Sequence, residues 1–507
     1  MLTRTTFDAS TAGRCVAPLV RCHHIDGAAT VRAGCIFSAP QPSYTSATMK
    51  RLSLVIPLLL CVAPDFAGAR EAAPRPNVIL MMADDLATED LSCYGGTRID
   101  TPHIDKLASQ GIRLTDYYAG NPVCTPSRMA LLSGAYPARL GWRWGVLGYG
   151  FARKTGMSPR VYTIAECFQD AGYRTAMTGK WHLGDETMSP EHQGFASAYF
   201  IRMSNNQNRD MVRDGHLVQL DWDNRRLTET FAEECIRVMN EDSDQPFFLY
   251  VPWTAPHFPA EAHPDWKDKH EDEYVGVVEE LDFRVGQVLD ALTTSGKAEN
   301  TIVVFTSDNG RQKGQEGQSD HPPYRGMKWQ SLEGGTRVPC IIRWPDQIRA
   351  GSTNPCIVSA MDLFPTLAEA CGVKIDLPDT AQKVDGVSVW TTIAGRAAVH
   401  PRRDLLYWHG KGQVTAIRIG DYKLYFNEGD NDPDVSEGPV LFNLKDDPKE
   451  TTNLSAQHAE VVLQMLDRAK VLLTEIYANQ LPLGMNEGVE NLDPPLKAVD
   501  VWGPFIK

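Results

Sequence analysis

The run Asn77 to Met82 is almost wholly apolar and is followed closely by Asp84-Asp85. A short, unbroken apolar segment predicts a strand buried on both faces of a parallel sheet, here with carboxylates at its carboxyl end. Two later segments repeat the pattern: Phe247 to Val251 runs into Pro252-Trp253-Thr254-Ala255-Pro256-His257, and Thr301 to Thr306 runs into Ser307-Asp308-Asn309-Gly310. In open α/β sheets the ligand crevice lies beyond the carboxyl ends of the strands, so these polar groups are expected to converge. Between the runs, Val277, Leu281, Val285, Val288, Leu289 and Leu292 recur at helical spacing and predict an amphipathic helix. The alternation over residues 75–370 predicts a large, mostly parallel sheet sandwiched by helices. After about residue 395 the texture changes to short apolar runs broken by Gly and Asp turns: Leu405 to Trp408, Val414 to Ile419, Tyr422 to Phe426 and Val440 to Leu444, then a helical pattern from Gln457 to Ile476. This predicts a small antiparallel sheet with a packed helix. The expected organisation is an α/β domain at 70–395 and an α+β subdomain at 396–507. The acidic stretch Asn427 to Gly438 reads as a solvated surface segment.

The amino-terminal pattern is of another kind. Lys50 and Arg51 precede an apolar run from Leu52 to Ala63, and Ala67-Gly68-Ala69 supplies the small residues a signal peptidase requires. Residues 49–69 are therefore expected to be a signal peptide, residues 1–48 a non-native or disordered extension, and the protein exported to a periplasm or secreted. No other apolar stretch is long enough to span a bilayer, so no membrane span is expected in the mature protein. After residue 69 the chain keeps 44 basic and 61 acidic residues, a net charge of −17. Such a balance argues against a nucleic-acid-coating surface, while leaving room for a local basic pocket. Seven of the eleven cysteines also lie after residue 69. Setting Cys124 apart leaves six, a number that permits disulfides without implying any.

Cys124 sits in Asn121-Pro122-Val123-Cys124-Thr125-Pro126-Ser127-Arg128, ahead of the apolar Met129 to Leu132. Pro126 and Ser127 suit the start of a helix, which sets the cysteine at a helix N-terminus where negative charge is favoured. Arg128 is then placed to fork two hydrogen bonds onto an oxyanion. Asp84, Asp85, Asp308 and Asn309 offer oxygen ligands only, the preference of calcium or magnesium. Lys180 and His182, in Thr178-Gly179-Lys180-Trp181-His182-Leu183-Gly184, are expected on one side of an extended segment, a cation and a proton carrier. His257 comes from a different strand end, and Lys328, in Gly326-Met327-Lys328, adds a further cation. Taken singly, each of these residues also has an ordinary structural role open to it. Trp142, Trp144, Tyr149 and Phe151 follow in a glycine-rich loop and are open to sugar stacking or to core packing.

The assembled set resembles the type I, formylglycine-dependent sulfatases of the arylsulfatase A and N-acetylgalactosamine-6-sulfatase kind, within the alkaline-phosphatase-like superfamily. The resemblance runs from Asn77 to about Leu454, because Leu441-Phe442-Asn443-Leu444 and Asp447-Pro448-Lys449-Glu450-Thr451-Thr452-Asn453-Leu454 are similar to the family's C-terminal segment. It implies that Cys124 is oxidised to formylglycine (3-oxoalanine) by a formylglycine-generating enzyme. It also implies that Asp84, Asp85, Asp308, Asn309 and the modified Cys124 hold Ca2+, Mg2+ being the less favoured ion. Arg128 and Lys180 then steady nucleophile and sulfate, with His182, His257 and Lys328 completing the pocket. Counting on from His192-Gln193-Gly194-Phe195 places Ser204 at a sulfate-side position; Ile201-Arg202-Met203 departs from the family pattern just before it, leaving Asn205 or Asn206 as alternatives. The implied substrate is a small-molecule or oligosaccharide sulfate ester, such as a galactose or N-acetylgalactosamine 6-sulfate, or an aryl sulfate. A phosphonate or phosphate ester hydrolase of the same superfamily and a catalytically silent glycan-binding homologue are the competing readings. The intact nucleophile and proton carriers speak against the silent one.

Overall fold

The apolar run that opens the α/β region forms strand β1, Asn77–Ala83, at the middle of a ten-stranded sheet. The structure is a computed structural model. It describes residues 74–142, 145–147, 154–207, 209–315, 323–397, 400–426 and 439–485. The expectations for residues 1–48 and 49–69, for the acidic stretch 427–438, and for Trp144, Tyr149 and Phe151 fall outside these. By its contacts, Ala72–Lys507 is one compact unit, to which everything below belongs.

The other strands of the sheet are Ile112–Leu114 (β2), Arg174–Lys180 (β3), Ser197–Ile201 (β4), Met211–Arg213 (β5), His216–Gln219 (β6), Phe247–Pro252 (β7), Thr301–Ser307 (β8), Cys340–Arg343 (β9) and Ser352–Asn354 (β10). Their spatial order is β10-β2-β9-β8-β1-β7-β3-β4-β5-β6. The five central strands, β8 to β4, are mutually parallel, and antiparallel pairings enter at β9 and β5. The mostly parallel mixed sheet matches the expected class.

β1 is buried on both faces because helices cover both. Val78, Leu80 and Met82 pack with residues of Cys124–Ser133 (α2), Ile164–Asp170 (α3) and Leu363–Ala370 (α6). Ile79, Met81 and Ala83 pack with residues of Pro102–Gln110 (α1), Leu227–Met239 (α4) and Glu273–Thr294 (α5), the last being the amphipathic helix legible in the sequence. At about 1.5–3 kcal/mol for each fully buried large aliphatic side chain, these two clusters fix the central strands firmly. Their register is what matters for the site. Ala83 lies opposite Ser307, so Asp84-Asp85 and Asp308-Asn309 leave the sheet side by side.

The smaller sheet is antiparallel in the order Asp404–Trp408 (β11), Val414–Ile419 (β12), Tyr422–Tyr425 (β13), Val440–Asn443 (β14). Helix Ala459–Ala478 (α7), two residues later than its sequence pattern indicated, contributes Val462, Met465, Ala469, Leu473 and Ile476 to the core it shares with these strands. That core also takes in Tyr118, Ala130 and Tyr136 from the larger α/β body. All seven described cysteines are free thiols. Among the described residues no helix is long and apolar enough to cross a membrane.

Candidate active site

Helix α2 begins at Cys124 itself, two residues earlier than Pro126 and Ser127 implied. Val123 is the extended residue before it, and Pro126 is accommodated in the first turn because amide groups there have no intrahelical acceptor to lose. All ten residues of α2 are buried. The Cys124 thiol lies 3.4 Å from Asp84 Oδ1. Burial, and then the charge of Asp84, push this thiol up to about 12.

Around Cys124 the carboxylates are each met by a cation. Lys180 Nζ is 2.5 Å from Asp84 Oδ2, and Lys328 Nζ is 2.7 Å from Asp85 Oδ1. Arg128 Nε and one terminal nitrogen reach Asp308 Oδ2 at 3.0 and 2.8 Å, while the other terminal nitrogen donates to Lys180 O. The fork that the sequence offered to a sulfate is therefore spent on Asp308, since a guanidinium without solvent must satisfy its donors internally. Burial opposes ionisation of Asp84, but Lys180 and Arg128 outweigh it and hold that carboxyl well below its usual range. Asp85 is pushed up by burial in spite of Lys328, and Asp308 is pushed up to about 7 by burial and by the neighbouring charge of Asp84.

The two histidines differ in their partners. The strand geometry expected through Lys180 and His182 ends at Lys180; His182 takes φ 61°, so the two residues are not related by strand alternation. His182 Nε2 lies 3.0 Å from Leu147 O, an acceptor, so Nε2 carries the hydrogen and Nδ1 is an acceptor, buried and without a hydrogen-bond partner among the described residues. His257 Nδ1 lies 2.8 Å from Asn205 Oδ1, and its Nε2 is 3.8 Å from Asp85 Oδ2. Burial holds both rings well below the usual histidine range, reinforced by Lys180 for His182 and by Lys328 for His257.

Cys124, His182, Ser204, His257 and Lys328 line one cavity of about 120 Å³. Ser204, uncertain by sequence, is buried with Oγ 3.3 Å from His257 Nδ1. Arg128 and Lys180 are fully buried and do not line the cavity. Sequence reasoning missed Gln207, Phe258, Gln312 and Trp329, which share the lining. The polar run Ser204-Asn205-Asn206-Gln207 was the available signal for the first of them. Trp142 packs into the core, with Nε1 donating to Gly145 O, so it takes the packing role rather than sugar stacking.

The oxygen donors of Asp84, Asp85, Asp308 and Asn309 are those a hard dication prefers. Ligating atoms of Asp84, Asp85, Cys124 and His257 all lie within 4.8 Å of one another. Asn309 Nδ2 reaches Asp85 Oδ1 at 2.7 Å, while Asn309 Oδ1 is buried without a hydrogen-bond partner among the described residues. An orphaned amide oxygen beside crowded buried carboxylates is a position a cation satisfies.

Over residues 76–373 the chain matches the family described as Sulfatase. The chain belongs to the sulfatase family. Residues 327–475 further match the region described as N-sulphoglucosamine sulphohydrolase, C-terminal. The sulfatase is 31% identical to human arylsulfatase A, over 87% of this chain and 95% of that protein. It is 27% identical to the N-acetylgalactosamine-6-O-sulfatase of Bacteroides thetaiotaomicron, over 82% and 98% of the two chains. The solved structure of Ps i-CgsB in complex with k-i-k-neocarrahexaose is similar with a TM-score of 0.70 at 28% identity, covering 82% of this chain and 95% of that one. These likenesses make the protein a sulfuric ester hydrolase of alkaline-phosphatase-like fold.

Proposed function

We propose that this sulfatase removes sulfate from a sulfated carbohydrate, with Cys124 acting after conversion to formylglycine and with calcium held by Asp84, Asp85, Asp308, Asn309 and the modified residue 124. The observation that carries the reading is the confluence of Cys124, the carboxylates and His257 at one buried point, with Lys328 beside them. A bound dication supplies Lewis-acid polarisation and offsets charge on the transferring group. Hydrated formylglycine supplies two hydroxyls on one carbon, so an ester formed through one is released by deprotonating the other, an exit closed to a thiol adduct.

The remaining roles belong to the surrounding side chains. Three carboxylates face three permanent cations, so the protein part of the site is close to balanced and a dication leaves it positive toward a sulfate monoester. Lys180 and Lys328 offset negative charge on the oxygens of the transferring sulfuryl group; one preorganised group of this sort is typically worth roughly 3 kcal/mol. His257 donates a proton to the leaving alcohol oxygen, its charged form being favoured when an anionic ester enters beside it. His182, with Nδ1 unpartnered, accepts the proton lost in the release step.

The carbohydrate assignment rests on the shape and lining of the cavity. About 120 Å³ holds a sulfate group and its attached carbon, far below the roughly 300–1,000 Å³ of pockets that bury a whole organic ligand. The group bearing the sulfate must therefore sit at the rim, where Phe258 is 61% exposed and the amides of Asn206, Gln207 and Gln312 line the opening. An aromatic face with planar amides suits a sugar ring's C–H face and hydroxyls. The names of the Bacteroides relative and of the oligosaccharide complex point the same way. Phe258→Ala is expected to raise KM for a sulfated galactose or N-acetylgalactosamine about fivefold, near 1 kcal/mol of stacking, with kcat little changed. An unaltered KM removes the rim from substrate recognition.

The reading is tested on protein co-produced with a formylglycine-generating enzyme. Sulfate release from nitrophenyl sulfate and from galactose and N-acetylgalactosamine 6-sulfates should far exceed cleavage of nitrophenyl phosphate and phosphonate esters. Exhaustive chelation should abolish it, and calcium should restore it better than magnesium. Faster phosphoester cleavage, or indifference to chelation, overturns the proposal.

A further inference from the structure

Behind His257 runs a chain of amides that ends on a backbone carbonyl. Asn224 Nδ2 lies 2.9 Å from Pro259 O, Asn205 Nδ2 lies 3.0 Å from Asn224 Oδ1, and Asn205 Oδ1 lies 2.8 Å from His257 Nδ1. Asn205 Nδ2 also reaches the carbonyl of His257 itself at 3.3 Å. The direction of every bond in this series is fixed from its far end. A carbonyl only accepts, so the Asn224 NH2 must face Pro259, which turns the Asn224 oxygen toward Asn205. That oxygen also only accepts, so the Asn205 NH2 faces it and the Asn205 oxygen faces the ring. His257 Nδ1 must then carry the hydrogen for Asn205, and Nε2, which among the described residues has only the Ser204 hydroxyl at 3.4 Å within hydrogen-bond distance, is the nitrogen that faces the chemistry.

We infer that Asn205, anchored by Asn224, is the positioning residue that sets the ring orientation and tautomer of His257 for proton transfer to the leaving alcohol. This rests on His257 being the proton donor, as proposed above. As the bond between sulfur and the alcohol oxygen breaks, its electron pair goes to that oxygen, which takes the Nε2 proton. The ring is left neutral with its Nδ1 hydrogen still on Asn205. Asn205 and Ser204 are buried, so no solvent molecule from outside replaces the amide at Nδ1 without local rearrangement. Both residues lie in the polar run that follows Ile201-Arg202-Met203, and Asn224 arrives from the segment just before α4, so the device joins three parts of the chain.

Proton donation matters in proportion to how poor the leaving group is. An alkoxide of a sugar needs it; nitrophenolate, already stable at neutral pH, needs it little. Asn205→Ala should therefore lower the ratio of kcat on galactose 6-sulfate to kcat on nitrophenyl sulfate by roughly 30-fold, a part of the roughly 10²–10⁴-fold typical of a positioned acid. Asn205→Asp, which keeps an acceptor at Nδ1 but loses the donor to Asn224 Oδ1 and the His257 carbonyl, should recover only part of that ratio. Asn224→Ala, at a half-buried position, should show the same sign with a smaller effect, and serves if Asn205→Ala does not fold. Equal losses on both esters, or no loss, overturn the positioning role. His257→Ala is measured alongside: a selective loss there without one at Asn205 or Asn224 rejects the amide chain alone, whereas no selective loss at His257 rejects the proton-donor reading and the inference together.

Discussion

Cys124→Ala is expected to reduce sulfate release by roughly 10⁵-fold or more, the scale seen when an enzyme loses its nucleophile. The fold should survive it. The change removes one buried sulfur from a helix whose other nine residues stay packed, and it deletes only a long contact to Asp84, so about 1 kcal/mol of stability is at stake. The measurement pairs sulfate release from nitrophenyl sulfate with thermal melting of the same preparation. Activity retained above a few per cent of the parent would mean that residue 124 is not the nucleophile. Mass spectrometry of the parent peptide that contains residue 124 provides the companion result: the active fraction should carry the aldehyde in place of the thiol, and fully active protein with an intact thiol contradicts the proposal.

Much of the scaffold around Cys124 was legible because burial on both faces leaves a plain signature. The runs that follow Asn77 and Thr301 are almost wholly apolar, and parallel pairing of such strands brings their polar ends together at whatever register the cores select. What the sequence concealed was the partner of each charge. Arg128 lies one turn from Cys124, which is consistent equally with a sulfate contact and with an ion pair to Asp308; only the depth of burial decides between them. The turn at His182 was equally hidden, since a left-handed residue after a strand has no local pattern of its own. Close approach between distant loops is another case. A Cβ on Gly310 would lie 1.8 Å from Gly334 O, which explains why glycine follows Asn309, yet nothing near Gly310 announces Gly334. Ser204 and Asn205 fell between these extremes: the polar run was visible, while its register relative to His257 was set by the antiparallel turn beyond β4.

Lys423→Met is expected to cost about 3–5 kcal/mol of unfolding free energy, the toll of leaving buried charge without its partner. Lys423 Nζ sits 2.9 Å from both Glu333 Oε1 and Glu450 Oε1 and 2.8 Å from Ser331 O, and all three charged side chains are buried. Burial works against ionisation of Glu333, but Lys423 and then Arg337 overcome it and hold its carboxyl at about 2. A carboxyl depressed on folding stabilises the protein above its unfolded value near 4.5, and that stability is lost as pH falls toward 2. Without the ammonium, Glu333 and Glu450 lose the cation they share and burial disfavours their charged forms more strongly, so the variant loses stability relative to the parent as pH rises. Its deficit against the parent should therefore be larger at pH 8 than at pH 5, read from denaturant midpoints. The consequence reaches the site because Lys423 belongs to β13 and Glu333 opens the turn Glu333–Thr336, whose Gly335 O accepts from Gly310 N beside Asn309. Loosening that turn should raise the calcium concentration needed for half-maximal activity, in a protein still folded at 20 °C. A deficit below about 1 kcal/mol, or one that shrinks with rising pH, would show that the two glutamates are relieved by something other than Lys423.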